Sequence, residues 1–301
     1  PELSSLRKEL KETMNNHRGV IVKDELASLY QSEGAVGLNA FTSEDVTFYI
    51  NQLPANKLEL WCWLESDRLA NSVFREFFSE RDVVHEERRM RTESSPIGEF
   101  QEQFNSMFWQ ASPYSWPVIG WPSDLNSYTL EEANRYFDIY YQPSNLVGVL
   151  VGDFDLETTK KMIVEYFGQL EAGSEPPPAV PTIEPTQKAQ QRMLASVAAQ
   201  SQVEIRYHAV PAGHSDGYAL EIMSGVLNGK TGRLYKSMVQ GEEIAANARF
   251  VVDTKKYAGA VLFAGTVKGS ATPKQLEAAW DEQVSLLQNE PVSKKELEKV
   301  K

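Results

Sequence analysis

Between Gly173 and Pro185 the chain reads GSEPPPAVPTIEP, with five prolines in thirteen residues. A proline has no amide N–H and holds φ near about −65°, so neither a helix nor an interior strand can run through such a stretch. Residues 172–186 are therefore expected to form a semi-rigid linker, dividing the 301 residues into a first domain over 1–171 and a second over 187–301. A chain of this length exceeds the usual size of a single core, which agrees with two domains. The pattern on the two sides repeats. A strand pair, a long helix, a short loop and a capped helix occupy 36–93 and recur from 246 to the C-terminus, which predicts a weak internal duplication.

The segment Ser79–Glu93, SERDVVHEERRMRTE, carries charge where apolar residues belong. Ser79 followed by Asp82 resembles a capping box, and 81–91 contains neither Gly nor Pro, so a helix is predicted to start at Ser79. At 3.6 residues per turn Val83, Val84, Met90 and Arg91 share a stripe with Glu80 and Glu87. An ionised carboxylate buried alone is costly, so Glu80 and Glu87 are each expected to meet an Arg, a Lys or a metal ion. The competing reading is a half-exposed helix whose Arg88, Arg89 and Arg91 solvate it.

The remaining pattern places helices over 2–14, 25–33, 55–69, 97–110, 128–141 and 156–170, with two strands around the polar turn Ser43, Glu44, Asp45 and another over 145–151. The 55–69 helix is rich enough in Leu and Trp to be largely buried, and Phe100, Phe104, Met107 and Phe108 form an aromatic stripe. Beyond the linker, strands fall within 193–210, 246–252 and 258–267, and helices over 216–227, 232–239, 273–287 and onward from Ser293. If Ser79 is laid on Ser293, Glu87 falls on Lys301, so the second copy carries no carboxylate there.

Lys and Arg total 30 against 42 Asp and Glu, a formal charge of −12, which argues against a nucleic-acid surface. Cys62 is the sole cysteine, so no intramolecular disulfide forms; it reads as a small buried hydrophobe. No apolar run is long enough to span a membrane, and the N-terminal residues are too polar for a signal peptide. Of the histidines, His17, His85, His208 and His214, none pairs at i and i+4, and neither HExxH nor HxxEH occurs. Each reads as a surface or locally hydrogen-bonded residue. GKT at 229–231 has the tail of a phosphate-binding loop, but Ser224 stands where its first Gly is required. GHSDG at 213–217 has the letters of a nucleophile elbow, but no His follows His214, so Ser215 reads as a helix cap.

Several stretches taken in order resemble one family. GLNAFTSEDVTFY at 37–49, ERDVVHEERRMR at 80–91, PYSWPVIGW at 113–121, YYQPSN at 140–145, LVGDFD at 150–155 and EYFG at 165–168 resemble the insulinase and pitrilysin type of zinc metallopeptidase. This family includes bacterial zinc proteases and mitochondrial processing peptidase. The likeness is strong over 19–171 and looser over 187–301. It implies an α+β fold of two-layer domains, each a mostly antiparallel sheet with helices packed on one face. It also implies a zinc metalloendopeptidase, in which an HxxEH helix supplies two His ligands and a Glu base, and a later helix supplies a third ligand. VVHEE matches that later segment, placing the metal ligand at Glu87 and its supporting carboxylate at Glu80. The strand around Asn39, Ala40 and Phe41 resembles the edge to which a peptide or unfolded polypeptide substrate adds.

Two departures accompany the likeness. HxxEH, which in the family lies upstream of the matched region, is absent. RLYKSMVQGEEIAA matches a segment in which the family carries a substrate-holding Arg and Tyr, and here Val239 and Ala246 stand at those positions. Both termini read as cuts through a longer polypeptide. The sequence is thus expected to be an inactive fragment of a zinc peptidase, with Zn2+ held only by the complete protein. A second family-related subunit or further domains would supply the Arg and Tyr. The alternative is a non-catalytic scaffold or peptide-binding subunit of the same fold. The compartment is unassigned, with family habit favouring a periplasmic or exported bacterial protein.

Overall fold

The computed structural model describes residues 2–173 and 175–301, the side chains of Glu2, His17 and Arg18 excepted. In chain order the elements are α1 (Glu2–Arg18), α2 (Glu25–Ser32), β1 (Val36–Thr42), β2 (Thr47–Gln52), α3 (Leu58–Ala70), α4 (Phe77–Arg88), α5 (Gly98–Phe108), α6 (Pro122–Ser127), α7 (Leu130–Tyr140) and α8 (Leu156–Phe167). They continue with β3 (Gln202–Ala209), α9 (Ser215–Leu227), β4 (Ala245–Thr254), β5 (Gly259–Val267), α10 (Pro273–Asn289) and α11 (Lys294–Val300). The architecture is α+β with antiparallel sheets, as the resemblance implies. No helix among the described residues is long and apolar enough to cross a membrane.

Two compact units divide the chain. One comprises the residues up to Ser94 together with Trp116–Pro181, the other Ser95–Ser115 together with Thr182–Lys301. The second unit thus takes in α5, which the sequence reading assigns to 1–171. The reason is local chemistry. The Glu184 carboxylate accepts the amides of Gln110, Ala111 and Ser112 at 2.7, 3.1 and 2.8 Å, satisfying donors left free where α5 ends. Arg206 Nη1 donates to Asn105 Oδ1 at 3.0 Å, and Phe108 stacks on His208 at 4.1 Å.

In the first unit β1 and β2 form a two-stranded antiparallel hairpin, with Ala40 opposite Tyr49 and Phe41 opposite Phe48. A small core of Tyr30, Ala35 and Leu64 lies beside it, joined by Leu26, Leu60 and Trp61. In α3 the buried residues are Cys62, Leu64 and Ser66, while Trp63 is 56% exposed, so this helix is less buried than its composition predicts. The predicted strand over 145–151 does not form. Pro143–Asn145 makes a 3-10 turn, and the extended residues after it find no strand to pair with among the described residues. Val147, Val149 and Val151 are consequently exposed. Without a ladder to satisfy its amides, an alternating apolar sequence does not make a strand.

The second unit carries a complete core. Its sheet has the order β3-β5-β4, and the central strand β5 is buried along most of its length. Helix α10, begun by a Thr272–Gln275 capping box with Pro273 in its first turn, lays Leu276 and Trp280 on that sheet. The Trp280 ring stacks on Phe263 at 4.7 Å, and its indole N–H donates to the Tyr207 hydroxyl at 3.0 Å. Close approach here requires glycine: a Cβ on Gly265 would lie 2.8 Å from Leu276 Cδ2. Helix α11 packs on α9 at Gly225, where a Cβ would meet Val300 at 2.3 Å. The helix predicted over 232–239 is π-wound from Tyr235 to Gly241, and Ser215 is the first residue of α9 while His214 caps it through Nδ1.

Two consequences are measurable. Trp280→Ala removes a fully buried ring and is expected to destabilise the second unit by about 3–5 kcal/mol in chemical denaturation. Arg233 donates to both oxygens of Glu296, at 2.9 and 3.1 Å, and with Ser293 this holds the Glu296 carboxyl down to about 2. Because the folded-state value lies below the ordinary 4.5, the stabilisation is fully present above 4.5 and is lost as pH falls towards about 2. Urea midpoints of wild type and Arg233→Ala should therefore differ at neutral pH and converge over that interval.

Candidate functional site

Helix α4 begins at Phe77, two residues before the predicted start, and Glu76 precedes it without a side-chain cap. Aromatic packing sets this start. The buried Phe77 ring lies 5.2 Å from Phe78 and 5.2 Å from Tyr128, so burial of an apolar residue takes the place of the Ser79 hydroxyl. The inward face follows from that anchor at helical spacing: Phe77, Arg81, Val84 and Arg88. Arg81 Nη1 donates to the Tyr128 carbonyl at 3.2 Å, and the buried Arg88 donates through Nη1 to the Gly120 carbonyl at 2.9 Å. Gly120 sits at φ +87°, a conformation that favours glycine and turns its carbonyl towards the guanidinium. Arg88 also pairs with Glu93 at 3.4 Å, across the π-wound turn Arg89–Glu93 that closes the helix.

Val83 and Met90, predicted to be buried with the carboxylates, are exposed at 54% and 72%. The apolar stripe is displaced because two arginines, not two valines and a methionine, dock the helix. Glu80 and Glu87 lie at the margin of the docked face, Glu80 exposed and Glu87 half-buried. Glu87 meets a cation, as its position requires: Arg91 Nη1 is 2.9 Å from its carboxylate. Arg91 is itself 74% exposed, so the pair is a solvated one and Arg91 is free to release the carboxylate at little cost.

Glu87 does not by itself make a metal centre. Among the described residues no group of three or more His, Cys, Asp or Glu side chains is gathered closely enough to hold a metal ion. Burial and the nearby Glu59 push the Cys62 thiol up to about 11, which keeps it a thiol. His208 is packed against Phe108 and Trp109 instead of lying at the surface, and burial lowers its pKa. His214 accepts the Asp216 amide at 3.1 Å. The described residues therefore do not fit a zinc site alone, and no hydrolytic step follows from them.

The predicted peptide strand is β1, exposed along its whole length. One side pairs with β2, and the other has no strand partner among the described residues. Asn39 Oδ1 accepts the Ala40 amide at 2.8 Å. Phe41 stacks on Phe48 with ring centroids 4.9 Å apart, both rings about half exposed. In the second unit, Val239 is half-buried in the π-wound turn. Ala246 is exposed at a break in register between Ala245 and Asn247 in β4. A side chain at such a bulge leaves the regular alternation of its strand; the sequence shows no sign of this irregularity.

A family model described as the peptidase M16 inactive domain matches residues 127–301. Zinc protease PqqE of Helicobacter pylori is 33% identical over 220 residues, covering 70% of this chain and 49% of that protein. YmxG of Bacillus subtilis, an uncharacterized zinc protease, is 22% identical over 268 residues, covering 88% of this chain and 64% of the relative. The chain thus spans from about half to under two-thirds of the length of these relatives. Among solved structures, a protease from Helicobacter pylori aligns with a TM-score of 0.82 at 26% identity, over 92% of this chain and 68% of that one. A peptidase M16 inactive domain from Pseudomonas fluorescens aligns with a TM-score of 0.81 at 14% identity, over 94% of this chain and 69% of that one.

The docking of α4 separates two arginines that are equivalent in sequence pattern. Replacing the buried Arg88 by Ala leaves the Gly120 carbonyl unanswered and should cost about 1–3 kcal/mol. Replacing Arg91 by Ala should change stability by less than about 1 kcal/mol. Paired urea titrations give both values.

Proposed function

Because this chain belongs to the peptidase M16 family, we propose that it is the peptide-receiving part of a zinc metalloendopeptidase whose metal site is completed by residues outside this sequence. The observation that carries the proposal is β1: an exposed strand with no strand partner on one side among the described residues and the exposed Phe41–Phe48 pair beside it. An extended peptide can add there by backbone hydrogen bonding, with Asn39, Ala40 and Phe41 as the receiving residues. Its recognition would follow extended shape more than any one side chain.

In this reading Glu87 contributes one zinc ligand and Glu80 supports it from one side. The pairing of Glu87 with the exposed Arg91 is compatible with that role, because a solvated arginine yields a carboxylate readily. When bound, zinc would polarise a water and a peptide carbonyl; this chain's share is one carboxylate and the strand that orients the peptide. Further domains or a related subunit would bring the Arg and Tyr that Val239 and Ala246 lack.

A second reading, a scaffold or peptide-binding subunit without catalysis, draws on the word inactive in the matching family's description and on the absence of a three-ligand cluster among the described residues. Metal content separates the two. In the longer protein, Glu87→Ala should abolish stoichiometric zinc, and Glu80→Gln should weaken zinc about 10–100-fold by removing support from the ligand. Equal zinc in wild type and Glu87→Ala would overturn the metal role and leave the scaffold. The 301-residue chain alone is expected to leave a fluorogenic peptide intact; chelator-sensitive cleavage by it would sink the proposal from the other side.

A further inference from the structure

A two-stranded hairpin is marginal by itself in water, yet β1 and β2 are the strands on which the proposed peptide addition depends. A chain of polar contacts runs from a buried tyrosine through Tyr49 of the hairpin to Tyr141. Tyr30 of α2 is fully buried, and its hydroxyl donates to Glu65 Oε1 at 2.8 Å. Burial pushes the Tyr30 phenol well above its ordinary range, so it stays a donor. Glu65, largely buried on α3, receives the guanidinium of Arg68 one turn later, through Nε at 3.1 Å and through Nη2. That guanidinium lies over the Tyr49 ring, 4.5 Å from its centroid. The Tyr49 hydroxyl is in turn 2.7 Å from the Tyr141 hydroxyl, just beyond α7.

Tyr49 is the cross-strand partner of Ala40, the middle residue of the proposed receiving strand. Partners in an antiparallel pair share a face, so Tyr49 and Ala40 lie on one face and the Phe41–Phe48 stack on the other. One face is thus fastened to α3 while the other stays open. A guanidinium over a ring, with its Nε and Nη2 donors engaged by a carboxylate, restrains the ring it covers. Lysine has no planar fork and holds such a geometry less well.

We propose that Arg68 is a positioning residue: held by Glu65, it fixes Tyr49 and so presets β1 in the extended form that receives a peptide. The inference rests on β1 being the receiving strand. An ordered edge binds more tightly than a mobile one, because the ordering cost is met before the peptide arrives.

The test uses the whole chain, a fluorescein-labelled peptide of alternating Val and Thr followed by fluorescence anisotropy, and amide hydrogen exchange resolved along the sequence. Arg68→Met, which keeps length and loses the fork, is expected to weaken binding up to about tenfold, the scale of the ordering cost that binding would then have to meet. Exchange should quicken across 36–52 while the amides of α4 and α8, in the same compact unit, remain as slow as in the wild type, which excludes unfolding of that unit. Arg68→Lys should fall between the two, and Tyr49→Phe, which keeps the ring, should bind more tightly than Arg68→Met. Unchanged exchange at 36–52 in Arg68→Met overturns the inference, as does quickened exchange with undiminished binding. If the wild type itself fails to bind, the reading of β1 as a peptide strand falls, and the exchange measurement still decides whether Arg68 holds the hairpin.

Discussion

The buried guanidinium of Arg88 is the constraint on which the geometry of the candidate metal-ligand helix depends. A cation in that position needs acceptors, and it finds the Gly120 carbonyl and the Glu93 carboxylate. With Arg81 bonded to the Tyr128 carbonyl, this rotates α4 so that Phe77, Val84 and the arginines face inward. Glu80 and Glu87 are left at the margin, where a carboxylate remains reachable. A helix docked by valines alone would have carried the carboxylates into the interior. The position of a prospective ligand is thus a consequence of where a neighbouring arginine is satisfied.

Arginine has a similar part in the hairpin, with a different partner. Arg68 is held by Glu65 on its own helix and presents its flat face to Tyr49. In both cases the proposed functional group, a carboxylate or a strand edge, is reachable from solvent, and a half-buried or buried guanidinium is held on the same element or packed against it. This arrangement allows polar groups at the surface to be oriented without placing them in a low-dielectric interior, where ionisation is penalised.

Much of this was legible from residue order. The helix at α4, the hairpin around Ser43–Asp45, the capped helix at α10 and the strand pair β4 and β5 fall close to where periodicity and turn residues place them. What periodicity does not carry is the identity of the buried side. Helical spacing groups Val83 with Met90, but cannot show that Arg88 outcompetes them for the interior. Nor does alternation identify a pairing partner: Leu146–Val151 has the pattern of a strand and lacks the neighbour that would make it one. The proline-rich stretch is plain in the sequence, whereas the contact it makes with the end of α5 is not. Glu184 is one acidic residue among prolines in sequence, and only in three dimensions does it meet three consecutive amides.

These differences in pairing also divide stability from function. The second unit surrounds β5 with two strands and buries Trp280, Leu276 and Phe263 completely. The first has a hairpin, an extended segment without a ladder and a small core around Tyr30. Local opening free energy follows buried apolar contact and satisfied backbone bonds, so the first unit occupies the low end of the stability range. An edge strand open to another strand leaves backbone groups without a strand partner, and such groups contribute little to folding beforehand. The polar contacts from Tyr30 through Glu65 and Arg68 to Tyr49 lie behind this edge and leave its other face uncovered.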